Sequence, residues 1–313
     1  MGTPEAAAKS LKRLVADGHD VAAVYTQPDR PAGRGNKIAF SPVKEAALEL
    51  GIPVLQPTKI KTTEALAELE SFAADVLVVV AYGRILPETF LTAFPMGAIN
   101  VHFSLLPKYR GAAPVNWAIV NGEKMTGVTT MRMDAGLDTG DILLQQETEI
   151  GAAETAIELM ERLSLLGAEL LSETLRTFES VVPQQQNDLD TTYAPIMKKE
   201  DGLISWMLGA DEIARRVRGF QPFPTTFTYF EDKKLTLWKA EKNERQSSGG
   251  IGELVEAKGD ELLVTCGGGS ILKIDELQLE GKRRMTTRDF LNGVKLNRGN
   301  RFETVTTNFV QVY

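Results

Sequence analysis

Asn100, His102 and Asp138 are the residues whose types and spacing suggest chemistry. The chain has two histidines, and His102 stands at the end of the apolar run Ala98-Ile99-Asn100-Val101. Residues two apart on a strand leave the same face, so Asn100 and His102 project together. A carboxamide N–H and an imidazolium N–H on one face are suitable donors to an oxygen that acquires charge. A carboxylate beside them can orient the imidazole or accept a proton through water. Asp138, in the Gly/Asp loop 134–140, is the candidate. The three suit attack of an amine on a carbonyl carbon with no covalent enzyme intermediate. Spacing alone leaves another reading open: His102 as a satisfied loop histidine, Asn100 as a turn former and Asp138 as a cap. His19, in Asp17-Gly18-His19-Asp20, reads as an exposed turn residue.

The elements that must bring these residues together alternate along the first part of the chain. An amphipathic helix over 5–17 ends at Gly18, and Asp20–Thr26 reads as a buried strand. The Pro- and Gly-rich loop 27–37 should be irregular. Helix 42–50, strand 53–55, helix 63–73, strand 75–81, a helix near 87–93, strand 98–101 and helix 113–121 follow, then strands 126–133 and 141–149 and a long helix over 154–178. Continuous β-branched runs between helices predict parallel strands covered on both faces. The alternation predicts a doubly wound α/β domain, which binds ligands beyond the carboxyl ends of its strands. The 102–111 turn and the 134–140 loop both lie at such ends and can share one crevice.

Residues 1–181 form the expected catalytic domain, and 182–206, opening with the polar run Gln184–Asp190, a linker. Short alternating strands over 207–313 predict a small antiparallel barrel, with Ser247–Gly250 and Gly267–Ser270 as hairpin loops. No G-x-G-x-x-G follows a strand and no G-x-x-x-x-G-K-[ST] occurs, which argues against a nucleotide site. Read as a calcium loop from Asp134, the segment fails, because Gly136 stands third, where a carboxamide or carboxylate is needed, and Gln145 twelfth, where a bidentate Glu is needed. One cysteine and two histidines argue against a zinc site, so no metal is expected.

Hydrophobic residues make up 43% of the chain and charged residues 25%, as in an ordinary globular protein. No apolar run approaches the roughly 20 residues of a membrane span. The lone Cys266 suits a reducing compartment, so a cytoplasmic protein is expected, and a monomer is expected. The net charge of −7 argues against general nucleic-acid affinity but hides an asymmetry. Residues 1–181 carry 16 Lys and Arg against 23 Asp and Glu, whereas 182–313 carry 19 of each. Lys282, Arg283, Arg284, Arg288, Lys295, Arg298 and Arg301 concentrate in one segment, which reads either as a basic surface for a partner or as a solvated edge without one.

Two longer patterns then become informative. Asn100 to Pro114 reads N-x-H-x-S-L-L-P-x-Y-R-G-A-A-P, and Asp134 to Asp141 reads D-x-G-x-D-T-G-D. With Thr26–Gly35, Tyr193–Lys199 followed by Trp206, and Gly281–Gly293, the sequence resembles the methionyl-tRNA formyltransferase family over essentially its whole length. The resemblance implies a Rossmann-like formyltransferase domain followed by an OB-like β-barrel that helps bind tRNA. It implies 10-formyltetrahydrofolate as co-substrate and formyl donor, and the α-amino group of initiator methionyl-tRNA as acceptor. Asn100, His102 and Asp138 match the family's catalytic trio, and Ser104, Leu105, Leu106 and Pro107 its folate-binding segment. Arg34 matches the loop arginine that meets the acceptor end of tRNA, and Lys37, Lys198 and Lys199 join it as tRNA contacts. One departure stands out. The family carries an apolar strand before the Gly-Thr-Pro that here is Gly2-Thr3-Pro4, so the first strand of the sheet is expected to be missing through a misplaced start or a truncation. Two rivals remain: a formyltransferase acting on a small amine, and a non-catalytic RNA-binding protein using the barrel alone.

Overall fold

The computed structural model describes residues 1–32 and 37–302. Contacts divide the chain into two units, one of residues 1–114, 125–149 and 159–193, the other of residues 115–124, 150–158 and 194 onward. The chain passes between the units several times, and the last crossing falls between Tyr193 and Ala194. Gln184 is no free tether, because it exchanges backbone hydrogen bonds of 2.8 Å in both directions with Ile142.

The first unit contains helices α1 (Glu5–Ala16), α2 (Pro42–Glu49), α3 (Thr63–Glu70) and α4 (Glu88–Leu91). Its strands are β1 (Val24–Tyr25), β2 (Arg30–Ala32), β3 (Lys37–Ala39), β4 (Val54–Leu55), β5 (Leu77–Val79), β6 (Ala98–His102), β7 (Arg110–Gly111), β8 (Met125–Arg132) and β9 (Ile142–Glu149). Local chemistry sets the boundaries. Ser41 caps α2 by accepting from the Lys44 N–H, with Pro42 at the first turn, and Thr62 caps α3 through the Ala65 N–H. Chain reversal after α1 uses Gly18 at φ +85°, a conformation that favours glycine. His19 is half-buried rather than free in solvent, with Nε2 3.2 Å from the Ser172 hydroxyl.

The sheet around the site has the order β5-β6-β8-β9. The β5–β6 pair is parallel, as is β1–β4, but β6–β8 and β8–β9 are antiparallel. The expectation of parallel strands throughout is therefore corrected to a mixed sheet. A strand buried on both faces reads the same in either orientation, and Val128–Met131 is such a run. The long helix α6 (Ala156–Thr177) crosses β6 and β8 at Gly167, where an added Cβ would stand 3.0 Å from Val101 and 3.3 Å from Phe103 and Val128. On β5, Leu77 and Val79 join Leu69, Phe90 and Leu91 in one apolar cluster. The 27–37 loop, expected to be irregular, instead contains β2 and β3 as an antiparallel ladder from Arg30↔Ala39 to Ala32↔Lys37.

Met1 and Gly2 run between β1 and β5. The Gly2 N–H donates to Tyr25 O (3.0 Å), the Val80 N–H donates to Met1 O (2.9 Å), and the terminal ammonium donates to Val78 O (2.6 Å). Burial there lowers the ammonium to about 5, by desolvation. Beyond Met1 the two strands flank a groove of about 420 Å³, lined by Leu11, Leu14, Val24, Leu77 and Phe94 among others.

The second unit begins around α5 (Pro114–Asn121) and β10 (Tyr193–Ala194) and continues with α7 (Ala210–Gly219) and α8 (Thr287–Gly293). Its strands are β11 (Thr226–Phe230), β12 (Lys233–Gln246), β13 (Leu254–Lys258), β14 (Glu261–Thr265), β15 (Ser270–Leu279) and β16 (Met285–Thr286). They form an antiparallel sheet of order β11-β12-β15-β14-β13, with β16 on β15. Register shifts interrupt the β12–β15 pair between Leu237 and Ala240 and between Asn243 and Gln246, irregularities of the kind that bend a strand. Trp206, Leu235, Leu237, Leu272, Phe290 and Phe302 fill its core. Gly267–Gly269 joins β14 to β15 as an expected hairpin. Ser247–Gly250 does not, because β12 and β13 are not neighbours in the sheet.

Candidate active site

β6 delivers Asn100 and His102 from one face, opposite Met131 and Thr129 of β8. The Asn100 carboxamide has no hydrogen-bond partner among the described residues, so its donors are unspent. His102 is 5% exposed, and its Nε2 lies 2.9 Å from Tyr109 O. A carbonyl oxygen only accepts, so Nε2 carries the proton and Nδ1 is left for other work. Asp138 Oδ2 lies 3.7 Å from that Nδ1, beyond hydrogen-bond range. The carboxylate is held instead by the Gly111 N–H at 2.8 Å. One substrate atom between Nδ1 and Oδ2 can therefore meet both groups.

The loop carrying Asp138 is tightly specified. Asp134 Oδ1 accepts from the Gly136 N–H (3.0 Å) and the Thr139 hydroxyl (2.7 Å), closing an Asx turn. At Gly140 an added Cβ would lie 1.8 Å from Arg132 O, so the loop can cross the end of β8 only with glycine there. Asp138 itself has φ +55°, a left-handed conformation that costs a non-glycine residue about 1–3 kcal/mol and marks a position its surroundings over-determine.

The 102–111 turn is held from within and from below. The Ser104 hydroxyl donates to Lys108 O (2.6 Å), and the Lys108 N–H to Leu105 O (3.1 Å). Beneath them, Thr129 Oγ1 donates to Ser104 O (2.7 Å) and accepts from the Leu106 N–H (3.1 Å). Gln145 Nε2 donates to both Leu106 O and Thr129 Oγ1 at 2.9 Å. The Leu106–Pro107 peptide is cis. Ser104 thus spends its hydroxyl on the turn, and the segment's contribution to any ligand is shape and backbone rather than the serine side chain. Tyr109, Thr129, Gln145 and Gln186 are structural partners of the site that side-chain spacing did not single out.

The residues expected to meet tRNA are placed differently. Arg34 lies outside the described residues. Lys37 opens β3. Nearby in the chain, Lys44 and Gln56 bond Asp29 at 2.5 and 2.8 Å, and those two bonds hold the Asp29 carboxyl below the usual carboxylate range. Lys198 and Lys199 belong to the second unit and are exposed at the turn Lys199–Gly202, where the Lys198 N–H donates to Asp201 Oδ2 (2.6 Å). Among the described residues no cluster of three His, Cys, Asp or Glu side chains could hold a metal. No helix among them is long and apolar enough to cross a membrane.

Comparison with known proteins supplies the context for this geometry. Residues 1–175 match the formyl transferase family model, and residues 196–295 match the formyl transferase C-terminal domain. The methionyl-tRNA formyltransferase of Caldanaerobacter subterraneus subsp. tengcongensis is 51% identical over 302 residues, covering 96% of this chain and 97% of that protein. That of Koribacter versatilis is 52% identical over 301 residues, covering 95% of each. Among solved structures, the sugar 3N-formyl transferase WlaRD, crystallised in the presence of dTDP and 5-N-formyl-THF, aligns with a TM-score of 0.66 at 18% identity, over 90% of this chain and 97% of that one. At that identity the likeness establishes the fold.

Proposed function

This chain belongs to the formyl transferase family, and from that premise we propose that Asn100, His102 and Asp138 carry out its reaction, with 10-formyltetrahydrofolate as donor. The chain is a transferase that formylates methionyl-tRNA, as translation initiation with formylmethionine requires. The observation that carries the site assignment is the meeting of His102 Nδ1 and Asp138 Oδ2 at 3.7 Å, on the face that also holds an unspent Asn100 carboxamide.

An α-amino group has a pKa near 7.7–8.0, and esterification to tRNA lowers it, so much of the nucleophile is already neutral. The enzyme's work is position and charge stabilisation rather than strong base. The amine lone pair attacks the formyl carbon and a C–N bond forms. The carbonyl electron pair moves to oxygen, where the Asn100 amide N–H and the imidazolium form of His102, which carries hydrogen on Nδ1 as well as on Nε2, stabilise it. Asp138 takes the proton that the new ammonium must lose and relays it, directly or through water, to the departing folate nitrogen as its C–N bond breaks. Formylmethionyl-tRNA and tetrahydrofolate leave. No covalent enzyme intermediate is needed.

Ser104–Pro107 forms a rigid wall for the folate, its shape fixed by Thr129 and Gln145. Arg34, Lys37, Lys198 and Lys199, with the cations between Lys282 and Arg301, engage the tRNA through its phosphates. The protein works in the cytoplasm as a monomer, without a metal. The deciding assay offers 10-formyltetrahydrofolate with charged initiator methionyl-tRNA, glycinamide ribotide or uncharged tRNA. Formyl transfer to methionyl-tRNA alone is the expected result, and preferential transfer to the ribotide would overturn the acceptor assignment.

A further inference from the structure

Asp138 is held at its carboxylate by Gly111, but its backbone is held by a residue from a different part of the chain. Gln186 is buried, while Gln184, Gln185, Asn187 and Asp188 around it are exposed. Its Nε2 donates 2.8 Å hydrogen bonds to both Asp138 O and Gly140 O. Its Oε1 accepts from Arg110 Nε (3.0 Å) and Nη2 (2.8 Å). Arg110 is itself buried, and its Nη2 also reaches Asp188 Oδ1 at 3.0 Å. The reciprocal bonds between Gln184 and Ile142 fix this segment two residues before Gln186. Arg110 and Gly111 are consecutive, so one dipeptide grips the 134–140 loop twice: Gly111 directly at the carboxylate, Arg110 through the Gln186 amide at the backbone.

We propose that Gln186, oriented by Arg110, is a positioning residue that sets the Asp138 carboxylate against His102. The inference rests on the assignment of Asp138 to the reaction. The chemistry of the amide explains the residue type. Two carbonyl oxygens on the loop need a two-donor group, and the two guanidinium N–H groups need an acceptor. A primary carboxamide supplies both at once, and neither a carboxylate nor an ammonium does. The loop has no apolar packing that would substitute, since 134–139 is largely exposed.

The test is a cycle of Gln186→Glu and Asp138→Asn, alone and combined. Gln186→Glu keeps the acceptor for Arg110 and removes both donors to the loop. It should lower the melting temperature, because two loop carbonyls lose their donor, and lose roughly 100-fold in kcat in the folded protein, the scale of an ångström's misplacement, with the KM for both substrates little changed. In the Asp138→Asn background it should add little further loss, because the group it positions is already disabled. Arg110→Lys, which replaces the two-pronged donor by one ammonium, should show the same pattern with a smaller loss, and it serves as the test if Gln186→Glu does not fold. Unchanged kcat in the tested variant, or the same fold-loss in both backgrounds, overturns the positioning role. Full turnover by Asp138→Asn alone would instead overturn the assignment of Asp138, a separate and recognisable failure.

Discussion

His102 is 5% exposed with its Nε2 committed to Tyr109 O, whereas Lys282, Arg283, Lys295 and Arg298 of the second unit all stand in solvent. The two regions are proposed to meet polar substrates, and they are built in opposite ways. Around His102 and Asp138, backbone amides, carbonyls and a buried carboxamide fix each group in one geometry. Between Lys282 and Arg301 the cations act as a surface field, partly neutralised on the protein itself: Arg284 pairs with Glu276, Arg288 with Asp260 and Arg301 with Glu253. Chemistry on a carbonyl needs donors that do not reorganise, while phosphate attraction tolerates motion and fades with salt. Perturbing the first region should therefore change turnover, and perturbing the second should change affinity.

The largest effect short of the proposed catalytic trio is expected at Gly140. In Gly140→Ala the new methyl meets the Arg132 carbonyl at 1.8 Å, and backbone cannot step aside. Overpacking of this kind costs about 1–3 kcal/mol, and the displaced loop should also lower turnover by roughly 100-fold, read together by a melting curve and steady-state kinetics. A tolerant Gly140→Ala would break the claim that the site is rigid. Next comes Thr129→Val, which removes the hydroxyl shared by Ser104 O, the Leu106 N–H and Gln145. Leaving those groups unsatisfied costs about 1–3 kcal/mol, and the KM for folate should rise while that for tRNA stays constant. An unmoved folate KM would detach the 104–107 turn from the folate. The smallest effect is expected at the surface. Asp260→Ala frees Arg288, and since a solvent-exposed ion pair contributes little, tRNA binding at low salt should strengthen by at most roughly fivefold. The gain should vanish at high salt with kcat unchanged. A change in kcat would show that the two regions are not separable as argued.

The contrast also explains what the sequence revealed. Asn100 and His102 were legible because strand periodicity puts alternate residues on one face whatever the strand's neighbours are. Asp138 was legible as a carboxylate in a glycine-rich loop at a strand end. The partner of His102 was not, because Tyr109 contributes a backbone carbonyl, which any residue type could supply. Gln186 was hidden for a different reason. It is one buried residue in the polar run Gln184–Asp190, where burial follows a single bridge to Ile142 rather than any period. Strand direction escaped as well, since the doubly buried runs that announced a parallel sheet are equally compatible with the antiparallel β6–β8–β9 arrangement. In the basic segment the residue types were plain, but their ion pairs depend on Glu253, Asp260 and Glu276, brought near only by the folded sheet.

The most direct measurement of the central claim is the single-turnover rate of formyl transfer from 10-formyltetrahydrofolate to methionyl-tRNA by His102→Ala, at saturating concentrations of both substrates. The account predicts a rate lower by roughly 100- to 1,000-fold, the usual consequence of losing one preorganised donor to a developing oxyanion, with the dissociation constant for tRNA unchanged. A rate equal to that of the unaltered chain would contradict it.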